Sequence, residues 1–210
     1  MRKILWYAFL LIPAVFTSCN LEDDSGLIPQ ENRKLTISFS VQDPASGLAT
    51  RAAIAPEAGE ENIKTLDLIF FESNGNGTGT FKGWKELTSA SDSPLEMNTD
   101  IVFDFSDIGL KTTDAYDILA VANMGSNYLP TDGSQSMDDW KNAIKNSNFK
   151  TARAEVQAFM AGTSTDIPEY ITKPIVSEAL LMSASLRKES EDTKISIVLQ
   201  RSVARFDVYN

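Results

Sequence analysis

The chain has 210 residues, of which 29 are acidic and 19 basic, with one cysteine, no histidine and a net charge of −10. That balance excludes nucleic acid, whose binding draws on a basic patch, and it excludes electrostatic docking on anionic lipid. The missing histidine removes Cys–His and Ser–His–Asp catalysis and the usual zinc sites, and a lone cysteine forms no internal disulfide.

Residues 1–18 open with the basic "MRK" and continue through the apolar "ILWYAFLLIPAVF". A membrane span needs about 20 apolar residues, so this shorter run reads as a secretory signal. The segment "FTSC" then ends in Cys19 and resembles the lipobox of bacterial lipoproteins, in which small residues precede a cysteine that is lipidated; an ordinary signal peptide with an incidental cysteine is the alternative. Acyl chains on Cys19 would anchor the protein, since each buried CH₂ contributes about 0.8 kcal/mol. Cleavage before Cys19 removes Arg2 and Lys3 and leaves 192 residues with a net charge of −12. Residues 19–34 form an acidic, flexible tether. Its Glu22, Asp23 and Asp24 resemble the surface-export signal of lipoproteins in anaerobic Gram-negative bacteria, or serve only as a solvated spacer.

From Leu35 the pattern alternates. "LTISFSV" places Leu35, Ile37, Phe39 and Val41 on one face and Thr36, Ser38 and Ser40 on the other, the mark of a half-buried strand. The stretch "QDPASGLATRAAIAPEAGEEN" breaks it with small residues, glycines and prolines and carries Arg51 between alanines. "IKTLDLIFF" is apolar on both faces towards its end, as an interior strand is. "ESNGNGTGT" is a hairpin-like turn, "FKGWKEL" and "DIVFDF" are further strand candidates, and "AYDILAVANM" is a second strongly buried run. "SMDDWKNAIKN" predicts a helix with Ser136 as its N-cap, acids in its first turn, and Trp140 and Ile144 four residues apart. "LLMSASL" and "ISIVLQRSVARFDVYN" return to strand character. In the latter, Ile195, Ile197 and Leu199 share one phase, Phe206 and Val208 take the other, and a bulge is expected near Gln200–Ala204. The fold class is mainly β: an antiparallel β-sandwich of about seven strands with one or two short helices.

Little in the chain points to catalysis, a metal or a cofactor. The acids fall in short runs such as "GEE", "DD" and "ESED" and read as solvated loops rather than a paired-carboxylate site. "NGNGTGT" lacks the lysine and following helix of a phosphate loop, and Asn76–Gly77–Thr78 is only a weak glycosylation sequon. Calcium at Asp138, Asp139 or the "ESED" run has no supporting ligand spacing. Trp84 and Trp140 are either core residues or platforms for a sugar ring.

Taken in order, the lipobox, the alternating first strand, the "TRA" hinge, "NIKTLDLIFFESNGNG", "AYDILAVANMGS", "ALLMSAS" and "VLQRSVARFDV" resemble the amino-terminal domain of the FimA/Mfa-type fimbrillins, the type V pilins of anaerobic Gram-negative bacteria. The resemblance implies a transthyretin-like pilin domain over residues 35–210. It implies export as a lipoprotein, palmitate-bearing at Cys19, to the outer membrane and cell surface. It implies proteolytic processing after Arg51 by an arginine-specific protease and loss of the removable first strand with Leu35, Ile37, Phe39 and Val41. A strand from another fimbrial subunit would then fill the vacated groove, building a fimbrium that supports adhesion to a host surface or matrix. Loss of four apolar side chains would withdraw roughly 6–12 kcal/mol of burial, an upper bound. Whole domains are stable by about 5–15 kcal/mol. A membrane-retained anchor in which Arg51 stays uncut, and a surface glycan-binding lipoprotein, are the competing readings; Arg51 as a solvated loop arginine is the plainer one. Family members continue into a second, carboxy-terminal sandwich domain that donates the strand. This sequence stops at "ARFDVYN", so a truncated gene product that accepts a strand without offering one is the expectation.

Overall fold

The computed structural model describes residues 34–42, 62–89, 93–125, 129, 133–161 and 180–201. Within them lie β1 (Lys34–Val41), β2 (Thr65–Glu72), β3 (Phe81–Thr88), β4 (Ile101–Asp104), β5 (Tyr116–Ala122), α1 (Met137–Lys145), α2 (Phe149–Ala161), β6 (Met182–Lys188) and β7 (Lys194–Arg201). A one-turn 3-10 helix, Phe105–Ile108, continues β4. The seven strands make a single sheet in the order β3-β2-β5-β6-β7-β1-β4. Neighbours run antiparallel except β1 and β7, which run parallel.

The mainly β, sandwich-like expectation holds, with the refinement that its two layers belong to one curled mixed sheet. β6 and β7 share only the pairs Met182↔Arg201 and Ser183↔Gln200, so the sheet turns there and β7-β1-β4 folds back across β2 and β5. Phe70 of β2 consequently meets Phe103 of β4 at 6.3 Å and Phe105 at 5.4 Å between ring centroids. The 3-10 turn closes the remaining gap. It passes so near β3 that a Cβ on Gly83 would sit 3.2 Å from the Ile108 carbonyl oxygen and the Leu110 side chain.

Two cores result, and the strand periods assign residues to them. Between the folded halves lie Leu35, Ile37 and Phe39 of β1, Leu66, Leu68 and Phe70 of β2, Ile118 and Ala120 of β5, and Ile195, Ile197 and Leu199 of β7. On the outer side of β2 and β5, Ile69, Phe71, Leu119 and Val121 pack beneath Trp140, Ile144, Ala152 and Val156 of the two helices. Helices on one side and strands on the other explain why every residue of β5 is buried. The predicted α1 is present with its capping box: the Ser136 hydroxyl accepts from the Asp139 amide at 3.1 Å and the Asp139 carboxylate from the Ser136 amide at 3.0 Å. The "NGNGTGT" turn joins β2 to β3, and a Cβ on Gly79 would collide with the carbonyl oxygen of Glu72. β7 holds the predicted phase of Ile195, Ile197 and Leu199; the rest of the expected bulge, with Phe206 and Val208, lies outside the described residues.

Asn123, just past β5, ties three parts of the chain together. Its Oδ1 accepts from the amides of Lys64 at 2.8 Å and Thr65 at 3.4 Å. Its Nδ2 donates to the carbonyls of Asn62 and Leu180, each at 2.8 Å. The residue holds φ at 61°, a left-handed conformation that asparagine tolerates better than most side chains. Asn123→Ala leaves two amides and two carbonyls without these partners, so a loss of about 2–4 kcal/mol is expected. Urea unfolding checks it: the midpoint should fall with the slope unchanged.

Candidate functional site

The seat of β1 is the candidate site. Alternation drives its first residues into the interior: Leu35 and Ile37 are fully buried, Phe39 is 1% exposed and Val41 is half-buried. The intervening Thr36, Ser38 and Ser40 stay partly exposed, and the Ser38 and Ser196 hydroxyls meet at 3.1 Å across the parallel pair.

Each flank has its own ladder. Against β4 the pairs are Lys34↔Asp104, Leu35↔Phe103, Thr36↔Val102 and Ile37↔Ile101. Against β7 they run from Thr36↔Lys194 to Val41↔Leu199. The Thr36 amide donates to the Thr193 carbonyl at 2.9 Å, and the Gln42 amide to the Leu199 carbonyl at 2.8 Å. β1 is therefore an interior strand, although it is the first of the described elements. Three fully buried side chains correspond to roughly 5–9 kcal/mol of apolar burial, an upper bound that still spans much of a domain's net stability. Of the residues expected to form a removable strand, Leu35, Ile37 and Phe39 are seated in full, and Val41 contributes less than a core position would.

The remaining candidates separate cleanly. Cys19, Glu22, Asp23, Asp24 and Arg51 lie outside the described residues. Trp140 is fully buried, and Trp84 is half-buried with its indole N–H donating to the Asp67 carboxylate at 2.7 Å. The two rings meet edge to face at 5.7 Å, and the ammonium groups of Lys141 and Lys145 lie 5.8 and 6.0 Å from the Trp84 ring. Trp140 therefore offers no surface to a sugar, while the half-buried Trp84 ring has Trp140 and two ammonium groups packed against it. Asp139 caps α1, and Asp192 of the "ESED" run accepts from the Glu189 amide at 2.9 Å in the β6–β7 turn. Among the described residues no three metal-ligating side chains stand close enough to share an ion.

Lys188 and Asp67 are among the buried polar groups that the sequence did not mark. Lys188 at the end of β6 is fully buried, and its ammonium donates to the carbonyls of Thr112 at 2.6 Å, Glu189 at 2.8 Å and Asp114 at 3.2 Å. Burial pushes its pKa down, against the pull of Asp192, Asp114, Glu191 and Glu189. Next to an acidic run, a lysine reads as solvated, so no sequence signal marked it. Asp67 faces the helices at 4% exposure; desolvation raises its pKa, the Trp84 bond opposes the rise, Glu86 adds to it and Lys141 lowers it. A single acid within "TLDLIFF" was the available clue.

Comparison with known proteins follows from this geometry. A family model described as major fimbrial subunit protein (FimA) matches residues 34–196, which begins at β1 and ends within β7. None of the curated proteins matches. Among solved structures, a candidate cell adhesion protein from Parabacteroides distasonis ATCC 8503 is similar at 16% identity and a TM-score of 0.44, over 81% of this chain and 46% of that one. The chain thus spans under half the length of that protein.

Two outcomes are expected. Phe39→Ala should cost about 3–5 kcal/mol in chemical unfolding, while Ser38→Ala on the outer face should stay within about 0.5 kcal/mol. For Asp67, the raised folded-state pKa means that its stability contribution is complete below the ordinary carboxylate range and is lost as pH rises through the folded value. Asp67→Asn keeps an acceptor for Trp84 without the charge, so its stability relative to the native chain should be greater at pH 7 than at pH 4 in paired urea titrations.

Proposed function

Because the chain belongs to the FimA family of major fimbrial subunit proteins, we propose that it is a structural subunit of surface fimbriae that assembles with other subunits by exchanging its first strand. In this reading the protein is exported as a lipoprotein, held at the outer membrane by acyl chains on Cys19. A protease cuts the hinge after Arg51. The fragment carrying the lipid and β1 then leaves, and an extended strand of a neighbouring subunit takes its place and supports a fimbrium used in adhesion.

One observation carries the proposal. β1 is both the first described strand and an interior strand, flanked by β4 and β7 with three side chains in the core. A single backbone cut after Val41 therefore severs the covalent link of a strand whose burial is worth several kcal/mol. An emptied seat would present two unpaired strand edges and a row of apolar pockets, the combination that strand addition uses for affinity and specificity. A cut at Arg33, by contrast, would part the tether from β1 and leave the seat filled.

Treating the folded protein with an arginine-specific protease tests this. One limited cut is expected, with Ala52 as the new amino terminus, and Arg51→Ala should abolish it. An intact chain, or digestion of the whole domain, would count against the proposal. In the native host, Cys19→Ser should release the uncut protein from the membrane fraction.

A further inference from the structure

The two ends of β1 are held unequally. Over Lys34–Ile37 the strand has β4 on one flank, and from Thr36 it also has β7 on the other. Over Ser38–Val41 the ladder with β4 has ended, while that with β7 continues. The turn at residues 95–98 covers that second flank, where the Asn98 amide donates to the Phe39 carbonyl at 2.9 Å. Asn98 is exposed and sits at φ 58°, outside any strand. Apolar burial gives way only at this end: Leu35, Ile37 and Phe39 are deeply buried, whereas Val41 is half-buried and Gln42 exposed. The chain also leaves towards the Arg51 hinge from this weaker end.

We infer that strand exchange at this seat begins at the Ser40–Gln42 end and travels towards Leu35. The inference rests on the strand-exchange function proposed above and adds its point of initiation and its direction. The occupant is an extended segment of another subunit with apolar residues at alternate positions. Replacing one strand by another gains a rung for each rung lost, so the barrier lies where the first rungs must open without compensation. Opening at Ser40–Gln42 breaks one ladder and exposes a half-buried valine. Opening at Lys34–Leu35 also breaks one ladder, that with β4, but exposes a fully buried leucine. Local opening costs least at frayed ends with few apolar contacts. Before the hinge is cut, the weaker end of β1 is tethered to the rest of the domain; after a cut at Arg51 it continues only into a short tail, residues 42–51, that no longer ties it to the domain. Processing would thus release the end from which displacement is easiest.

The full chain, cut by the arginine-specific protease, is mixed with a fluorescent peptide copying Lys34–Val41 and with two shortened copies. One lacks the residues matching Ser40 and Val41, the other those matching Lys34 and Leu35. Loss of the Ser40–Val41 positions should slow capture about tenfold or more, whereas loss of the Lys34–Leu35 positions should leave the capture rate within about threefold and speed release. Equal slowing by the two truncations, or greater slowing by loss of the Lys34–Leu35 positions, overturns the direction while leaving strand exchange intact. Failure of the complete peptide to be captured overturns strand exchange itself. In the uncut chain, hydrogen exchange should be faster at the amides of Ser40–Gln42 than at those of Leu35–Ile37, and the opposite order overturns the inference.

Discussion

The structure depends on one constraint: three alternate side chains of its first strand fill the middle of a core built by strands much later in the sequence. Leu35, Ile37 and Phe39 lie between β4 and β7, beneath the inner faces of β2 and β5. Pairing β1 with β7 in parallel requires a connection through most of the domain, since parallel neighbours cannot be joined by a tight turn. Every intervening element is therefore part of the route by which the first strand reaches its seat. The domain closes around β1, yet β1 contributes nothing to the covalent continuity of the chain from Asn62 onwards.

β1 and β5 are buried in different ways, and the difference bears on which could be exchanged. All seven residues of β5 are buried, one face against the opposing half of the sheet and the other beneath the helices. β1 buries one face only, and its other face carries Thr36, Ser38 and Ser40. Nor does it contribute to the helix-covered core, whose buried members come from β2, β5, the two helices and nearby segments. Loss of β1 would withdraw Leu35, Ile37 and Phe39 from one core and take no member from the other. A strand buried on both faces could not leave without dismantling both.

Legibility in the sequence followed the reach of the interactions concerned. The alternation of "LTISFSV", the double burial of "IKTLDLIFF" and "AYDILAVANM", the Ser136 cap and the phase of Ile195, Ile197 and Leu199 are local patterns, and each corresponds to an observed element. The parallel partnership of β1 with β7 was not legible, because nothing near either strand encodes a neighbour more than 150 residues away. Val41 fits the alternation as well as Leu35 does, but its shallower burial depends on where β4 ends, a fact of tertiary register. Trp84 and Trp140 were ambiguous for the same reason: only the packing of α1 near β3 brings the two rings edge to face and buries Trp140. Lys188 and Asn123 showed no pattern because their partners are backbone groups of distant segments.

Those two residues supply the last step. Asn123 fastens the start of β2 and the approach to β6 at one end of β5, and Lys188 fastens the loop before β5 at the other. Neither takes a partner from β1. Buried polar groups satisfied in this way hold their segments in one arrangement, since breaking any bond strands a backbone group away from water. The chain from Asn62 to Thr65 is therefore held by Asn123 through contacts that do not involve β1. Under the proposed exchange, the seat of β1 needs walls fixed by something other than β1. The polar bonds at both ends of β5, with the helix-covered core between them, are of that kind.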